Sequence, residues 1–344
     1  MRRHEEGTVL LSTLLVLSLM SAVALALLAT LQSSITHAGT VNARAQVALY
    51  AQGAQEFSQA QIQQLAGMES TQLNQFLSQA EPYVLPFDNG SISLRVSDGT
   101  QCFRLSALSD STGQGQDSER MRFEALLVLL GVDQGQASRI AAAALDWVDR
   151  DSQLSPGGAE DGTYLSRALP HRTANVPMQS VTELRAVEGM TEDLFQQLLP
   201  YLCIGETGTP TQFNIDGAQE IDAPVLAALL GGEPEAEAIA RELIGARPDG
   251  GYGSTENLLL APALDGFEHP AFRAEDIVFE PQRIVIEAII AYGDVEQAQL
   301  LAFEGLDSQR PLLAYRAWGF DEFPSLARLR LSETTSEGAE SLDR

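Results

Sequence analysis

The clearest chemical pattern in the sequence is an acidic loop that follows a predicted helix, within Leu145–Leu165 (LDWVDRDSQLSPGGAEDGTYL). Side chains that carry oxygen occupy places 1, 3, 5, 7 and 12 of this loop, namely Asp149, Asp151, Gln153, Ser155 and Glu160. Ca²⁺ takes about six to eight oxygen ligands, and alternate positions with a distal glutamate can point such oxygens at one centre. The spacing therefore predicts a calcium site, although Leu154 stands at place 6, where an EF-hand loop has glycine.

Further carboxylates lie close to this loop. Asp161 follows Glu160, and Asp146 precedes Asp149 by one helical turn. So many negative charges repel one another unless a cation joins them. The predicted ligands are Asp146, Asp149, Asp151, Gln153, Glu160 and Asp161. The alternative is a solvated acidic turn without an ion.

Composition limits the classes of function. The 344 residues include 21 basic and 47 acidic side chains, which gives a net charge of −26. A surface of this charge repels phosphate backbones, so we expect no nucleic acid partner. The sequence has four histidines and lacks HExxH, GxSxG, P-loop and CxxC motifs, so we also expect no enzymatic activity.

An uncharged run near the N-terminus predicts a membrane anchor. Residues 8–31 carry no charge, proline or glycine, and about 20 helical residues cross a bilayer. A polar leader with two arginines, residues 1–7, precedes this run. Ala22, Ala24 and Ala26 could instead form a signal-peptidase site.

Two cysteines, Cys102 and Cys203, lie beyond the anchor and belong to no CxxC pair. In an exported domain such cysteines favour a disulfide over a metal site. The alternative is two separate buried thiols.

The layout resembles the type IV pilins and pseudopilins, in which prepilin peptidase cuts after a glycine that precedes the apolar run. Gly7 and Thr8 match that junction. Most members have glutamate five residues into the mature chain, and Ser12 stands here. The chain resembles the K-type minor pseudopilins of type II secretion, which typically lack this glutamate. The parts most like that family are the DW-x-D-x-D pattern, the GGAED run and the RAWG sequence at residues 316–319.

The resemblance implies a subunit at the tip of the pseudopilus, held in the inner membrane with its soluble part in the periplasm. It implies I-type and J-type minor pseudopilins as partners, processing by prepilin peptidase, and calcium in an inserted domain. Two other functions stay open: a secreted soluble calcium-binding protein, and a membrane-tethered helix-hairpin-helix protein that binds DNA.

The predicted fold is α+β, with a pilin-like long N-terminal helix and a small antiparallel sheet that a large all-α domain interrupts. A β-hairpin is expected around Asp98-Gly99, and three helix-turn-helix units around Gly131, Gly189 and Gly231. The last unit resembles a helix-hairpin-helix motif. The predicted segments are a leader (1–7), the membrane half of the helix (8–31), its periplasmic half (32–80), the first part of the sheet (81–111), the inserted domain (112–270), the second part of the sheet (271–319) and a polar tail (320–344).

Overall fold

The computed structural model describes residues 5–109, 114–306 and 311–324. The start of the leader, the link 110–113 and most of the predicted polar tail lie outside these residues. The helices are α1 (Glu5–Leu65), α2 (Ser70–Ser78), α3 (Gln114–Leu129), α4 (Gln134–Val148), α5 (Asp161–Tyr164), α6 (Glu192–Leu198), α7 (Ala223–Leu229), α8 (Pro234–Gly245) and α9 (Thr255–Leu259). The strands are β1 (Tyr83–Phe87), β2 (Gly90–Asp98), β3 (Phe103–Arg104), β4 (Leu202–Cys203), β5 (Phe213–Asn214), β6 (Ile277–Val278), β7 (Arg283–Tyr292), β8 (Val295–Glu304) and β9 (Leu312–Trp318).

Helix α1 has two halves with different surroundings. Every side chain from Leu10 to Gly39 is exposed, and in the described residues this helix alone is long and apolar enough to cross a membrane. Further along, a stripe of small and apolar residues faces the sheet and is buried. The stripe consists of Val47, Ala51, Ala54, Ser58 and Ile62, and its spacing of three or four residues is that of one helix face.

The prediction of one helix through residue 80 is wrong. Helix α1 ends at Leu65, and a turn that contains Gly67, a poor helix former, leads into α2. After this turn, Leu73 and Leu77 of α2 also pack into the core between α1 and the sheet. A straight helix would carry these leucines past the sheet.

The main sheet has five strands in the order β1-β2-β7-β8-β9, and all its pairs are antiparallel. The late strands therefore rejoin the early ones, as predicted. One face of the sheet packs on α1 through alternate residues such as Ile284, Ile286 and Ile290. The opposite face forms a second cluster, in which Phe323 is 1% exposed. The chain thus still packs on the sheet after residue 320, where the sequence predicted a polar tail.

The predicted hairpin at Asp98-Gly99 is also wrong. The hairpin lies one turn earlier, where Asn89 at φ 66° connects β1 to β2. Strand β2 is then paired with β7 along its full length, up to the pair Asp98↔Ile284. This continuous pairing leaves no room for a turn back, so the chain leaves the sheet after Gly99.

The inserted part, between β2 and β7, is mainly helical and has its own core. The three predicted turns are present, with Gly131, Gly189 and Gly231 at φ 89°, 84° and 118°, a region that favours glycine. The middle unit starts with a 3₁₀ helix, Val181–Ala186, instead of an α-helix. Two short parallel pairs, β3 with β4 and β5 with β6, add strand pairing that the sequence did not predict.

The insertion is connected to the end of the sheet that is distant from the membrane half of α1. At one end of the sheet, Tyr50 of α1 stacks on Phe87, with ring centroids 4.2 Å apart, beside the pair Gly90↔Tyr292. The insertion starts and returns at the opposite end, after Asp98 and before Arg283. Strand β2 has nine residues, and at about 3.3 Å per residue it separates the two ends by about 30 Å.

Candidate metal centre

Helix α4 and the short helix α5 hold the acidic loop between them. The Asp133 side chain caps α4 by accepting the Gly135 and Gln136 amides, and four consecutive alanines, Ala141–Ala144, bury the helix in the core. Asp149 ends α4 in an extended conformation, and Glu160 is the N-cap of α5. Both ends of the loop therefore have fixed backbone positions.

The structure brings Asp149, Asp151 and Glu160 together. One carboxylate oxygen from each lies within 4.8 Å of the others. This spacing fits a central Ca²⁺ at about 2.3–2.6 Å from each oxygen. Asp149 Oδ1 and Glu160 Oε1 are buried without a hydrogen-bond donor among the described residues, and Glu160 is only 7% exposed. Buried carboxylate oxygens without a hydrogen-bond donor are suitable ligands for a hard cation, so these residues fit the predicted Ca²⁺.

The short distances between these carboxylates and their burial also raise the pKa values of two of them. Desolvation, with repulsion from Asp151, Asp146 and Glu160, raises the pKa of Asp149 to about 7. Desolvation also raises the pKa of Glu160. A bound cation would remove this penalty by favouring the ionised carboxylates.

A pH titration of the metal-free protein should show the effect. Because the folded pKa of Asp149, about 7, exceeds the reference value of 3.8, the folded state holds an extra proton between these two values. The free energy of unfolding should therefore fall as the pH rises from 3.8 to about 7 in chelator. Asp149→Asn should remove this contribution, as measured by urea unfolding at several pH values. An equal pH slope in both proteins would contradict the assignment.

Asp146 lies outside this group and organises the loop instead. Its fully buried carboxylate accepts the Ser155 amide, with distances of 3.2 and 3.3 Å to its two oxygens. Burial raises the pKa of Asp146, while the hydrogen bonds from the Ser155 and Ala159 amides act in the opposite direction. The loop thus folds over Asp146, and only a residue without a side chain fits at Gly158, where a Cβ atom would overlap Oδ2 and lie 2.8 Å from Cγ.

We therefore expect Gly158→Ala to destabilise the protein by about 1–3 kcal/mol, because the added methyl must displace a buried carboxylate. Gly162→Ala is the matched control, since a Cβ at Gly162 meets nothing within 4 Å. Urea unfolding of both variants measures the difference. Equal stabilities would contradict the close packing of the loop on Asp146.

The other two predicted ligands also lie outside the group. Gln153 is exposed, and its backbone amide, not its side chain, donates to Asp151 Oδ1 at 2.7 Å. Asp161 pairs with Arg172 at 2.6 Å and accepts the Thr173 amide at 3.1 Å. No sequence pattern pointed to Arg172 and Thr173, because they follow Asp161 by more than ten residues and match no ligand spacing.

The predicted disulfide between Cys102 and Cys203 is confirmed, with an S–S distance of 2.07 Å. Cys203 belongs to β4, whose partner strand β3 begins directly after Cys102. The bond therefore joins the start of the insertion to a position 101 residues further along the chain.

Comparison with known proteins places this architecture in a family. A family model described as "Type II secretion system (T2SS), protein K" matches residues 101–206, which include the acidic loop and both cysteines. Type II secretion system protein K of Pectobacterium carotovorum subsp. carotovorum is 31% identical over 333 residues, covering 93% of this chain and 98% of that protein. The chain belongs to the type II secretion system protein K family. The family member of Klebsiella pneumoniae is also 31% identical, over 89% of this chain and 94% of that protein.

A solved protein K structure has the same fold. The chain matches the GspK-GspI-GspJ complex from enterotoxigenic Escherichia coli with a TM-score of 0.63 and 23% identity, over 80% of this chain and 99% of the solved chain. The family match confirms the predicted K-type minor pseudopilin of type II secretion. Cleavage between Gly7 and Thr8 and the calcium ligands stay predictions.

Proposed function

We propose that this protein caps the tip of the periplasmic pseudopilus and helps to start its assembly, as a structural subunit without enzymatic activity. The observation that carries the proposal is the position of the insertion at the sheet end distant from the membrane half of α1. A large body at that end leaves the helix free to pack with subunits below. It would block any subunit above by steric overlap.

In this proposal α1 anchors the protein in the inner membrane before assembly, with the soluble part in the periplasm. The fully exposed apolar surface from Leu10 onward supports a lipid or helix environment for this half. Prepilin peptidase would cut between Gly7 and Thr8. Ser12, which stands where most pilins have glutamate, carries no charge to pair with the α-amino group of a subunit above, as expected for the last subunit of a filament.

The proposed partners are the I-type and J-type minor pseudopilins. The solved complex with the same fold contains protein K together with GspI and GspJ. Because the sheet of this chain already covers the stripe from Val47 to Ile62, we expect the partners to pack on the exposed remainder of α1. Leu49 and Phe57, which are 63% and 40% exposed, belong to this remainder.

We further propose that the acidic loop binds Ca²⁺ through Asp149, Asp151 and Glu160. Bound Ca²⁺ would supply positive charge that offsets the repulsion among the carboxylates. The loop lies in the inserted domain, so the ion would stabilise the part of the protein that forms the cap. The bare oxygens of Asp149 and Glu160 are the support for this assignment.

The two other functions have less support. In the third helix-turn-helix unit, the Gly231 and Gly232 amides donate to Ala228 and Ala227, and the His269 ring covers Gly231. These amides are therefore not free to bind a DNA phosphate, and the net charge of −26 also opposes binding. A secreted protein would lose the apolar half of α1, which is continuous with the half that packs on the sheet.

The test is the N-terminal sequence and intact mass of the full chain, expressed with and without its prepilin peptidase. We expect a new N-terminus at Thr8 that appears only with the peptidase. An N-terminus in the Ala22–Ala26 region, independent of the peptidase, would contradict the pseudopilin assignment and favour the secreted protein.

A further inference from the structure

The segment that follows α5 turns back and contacts the acidic loop through Thr173. This side chain is 8% exposed, and its hydroxyl lies 3.3 Å from Glu160 Oε2 and 3.1 Å from Asp161 Oδ1. The Thr173 amide donates to the same Asp161 oxygen at 3.1 Å. Thr173 is thus in contact with Glu160 of the candidate metal centre and with the next carboxylate along the chain, Asp161.

The two oxygens of Glu160 have different roles. Oε2 accepts the Asp161 amide at 3.3 Å and faces the Thr173 hydroxyl, whereas Oε1 has no donor among the described residues. Fixing one oxygen sets the direction of the other. The free oxygen belongs to the carboxylate that clusters with Asp149 and Asp151.

Asp161 has donors on both of its oxygens. Thr173 occupies Oδ1, and the Arg172 guanidinium lies 2.6 Å from Oδ2. A cation would have to displace these donors to bind Asp161. A hydroxyl has one proton to donate, and the Thr173 amide holds Asp161 in any case, so the hydroxyl proton is available to Glu160.

We propose that Thr173 and Asp161 form a latch that positions Glu160 for a divalent cation, and that neither residue is itself a ligand. The inference rests on the proposed cation site and adds its positioning residues. Partners outside the first ligands fix the orientation of those ligands, and their loss typically costs about 10–100-fold in metal affinity.

Calcium titration calorimetry on the full chain in detergent tests the latch. Thr173→Val keeps the shape of the side chain and removes the hydroxyl, so we expect Ca²⁺ affinity to fall about 10–100-fold. Thr173→Ser is the matched control, because it restores the hydroxyl and should bind Ca²⁺ nearly as tightly as the wild type. Thermal unfolding in chelator checks that each variant is folded.

Two more variants separate positioning from ligation. Asp161→Asn should weaken binding less than Asp149→Asn, which removes a ligand. Arg172→Gln removes an ion pair whose arginine is 72% exposed, so it should fold normally and weaken binding through Asp161 alone. It also tests the latch if Thr173→Val does not fold.

If Thr173→Val binds Ca²⁺ as tightly as the wild type, Thr173 does not position Glu160 and the proposal is wrong. If Thr173→Val is unfolded, unchanged Ca²⁺ affinity in Arg172→Gln would overturn the proposal instead. A loss in Asp161→Asn as complete as that in Asp149→Asn would make Asp161 a ligand. Failure of the wild type to bind Ca²⁺ would remove both the cation site and the latch. The pseudopilin function would stand, because N-terminal processing tests it separately.

Discussion

Replacing Arg122 by alanine should lower the free energy of unfolding by about 3–5 kcal/mol, because it removes the fully buried cation that lies between two buried carboxylates. Arg122 is 1% exposed and lies 2.7 Å from Glu119 and 2.5 Å from Asp276. It also donates to the Ala271 carbonyl at 3.0 Å. This group joins α3, at the start of the insertion, to the segment that leads back into the sheet.

The environment of Glu119 indicates how strongly the buried ion pairs depend on Arg122. Desolvation raises the pKa of Glu119 even though Arg122 and Thr211 donate to the carboxylate. Without Arg122, Arg273 still lies 2.9 Å from Asp276 and 3.6 Å from Glu119, but its side chain is 35% exposed. We therefore expect Arg273 to replace only part of the lost interaction.

Arg120→Ala is the control for this prediction. Arg120 is on the same helix and pairs with Glu124, but both side chains are partly exposed, at 25% and 16%. A pair of this kind contributes up to about 1 kcal/mol. Urea unfolding of both variants should show a several-fold larger loss for Arg122→Ala, and equal losses would contradict the role of the buried network.

Removing the disulfide should have an effect of similar size. Cys102 and Cys203 close a loop with a sequence separation of 101 residues, and loss of such a native bond typically costs about 2–5 kcal/mol. We expect this loss in the double variant Cys102→Ala/Cys203→Ala, since its unfolded chain is less constrained. The measurement is urea unfolding under oxidising conditions.

The wild type with reductant is the control for the double variant, and both should unfold at similar urea concentrations. The reductant should leave the stability of the double variant unchanged. If the variant is as stable as the oxidised wild type, closure of this loop does not stabilise the insertion, and the prediction is wrong.

Local patterns in the sequence were sufficient for much of the fold. The uncharged run from Thr8 to Leu31 predicted the first half of α1, and the turns at Gly131 and Gly231 predicted helix pairs. These features depend on residues that are close in sequence. Helix periodicity and glycine conformation are therefore visible without the structure.

The errors arose where distant residues decide the outcome. Asp88-Asn89 and Asp98-Gly99 are both good turn sequences, and the pairing of β2 with β7, almost 200 residues later, selects the first. Distant residues also decide the structure of the candidate metal centre. The spacing of acids predicted the residues that cluster, Asp149, Asp151 and Glu160. It could not show that Arg172 and Thr173 would donate hydrogen bonds to Asp161.

If the insertion caps the filament tip, it should be present at one end of each filament and nowhere else. The most direct test is gold labelling of assembled pseudopili that contain the variant Leu260→Cys, a site in the insertion that is 81% exposed. The structural cysteines are paired, so a maleimide gold label should react at this position alone. We predict gold at one end of each filament, whereas gold distributed along the filaments would contradict the cap.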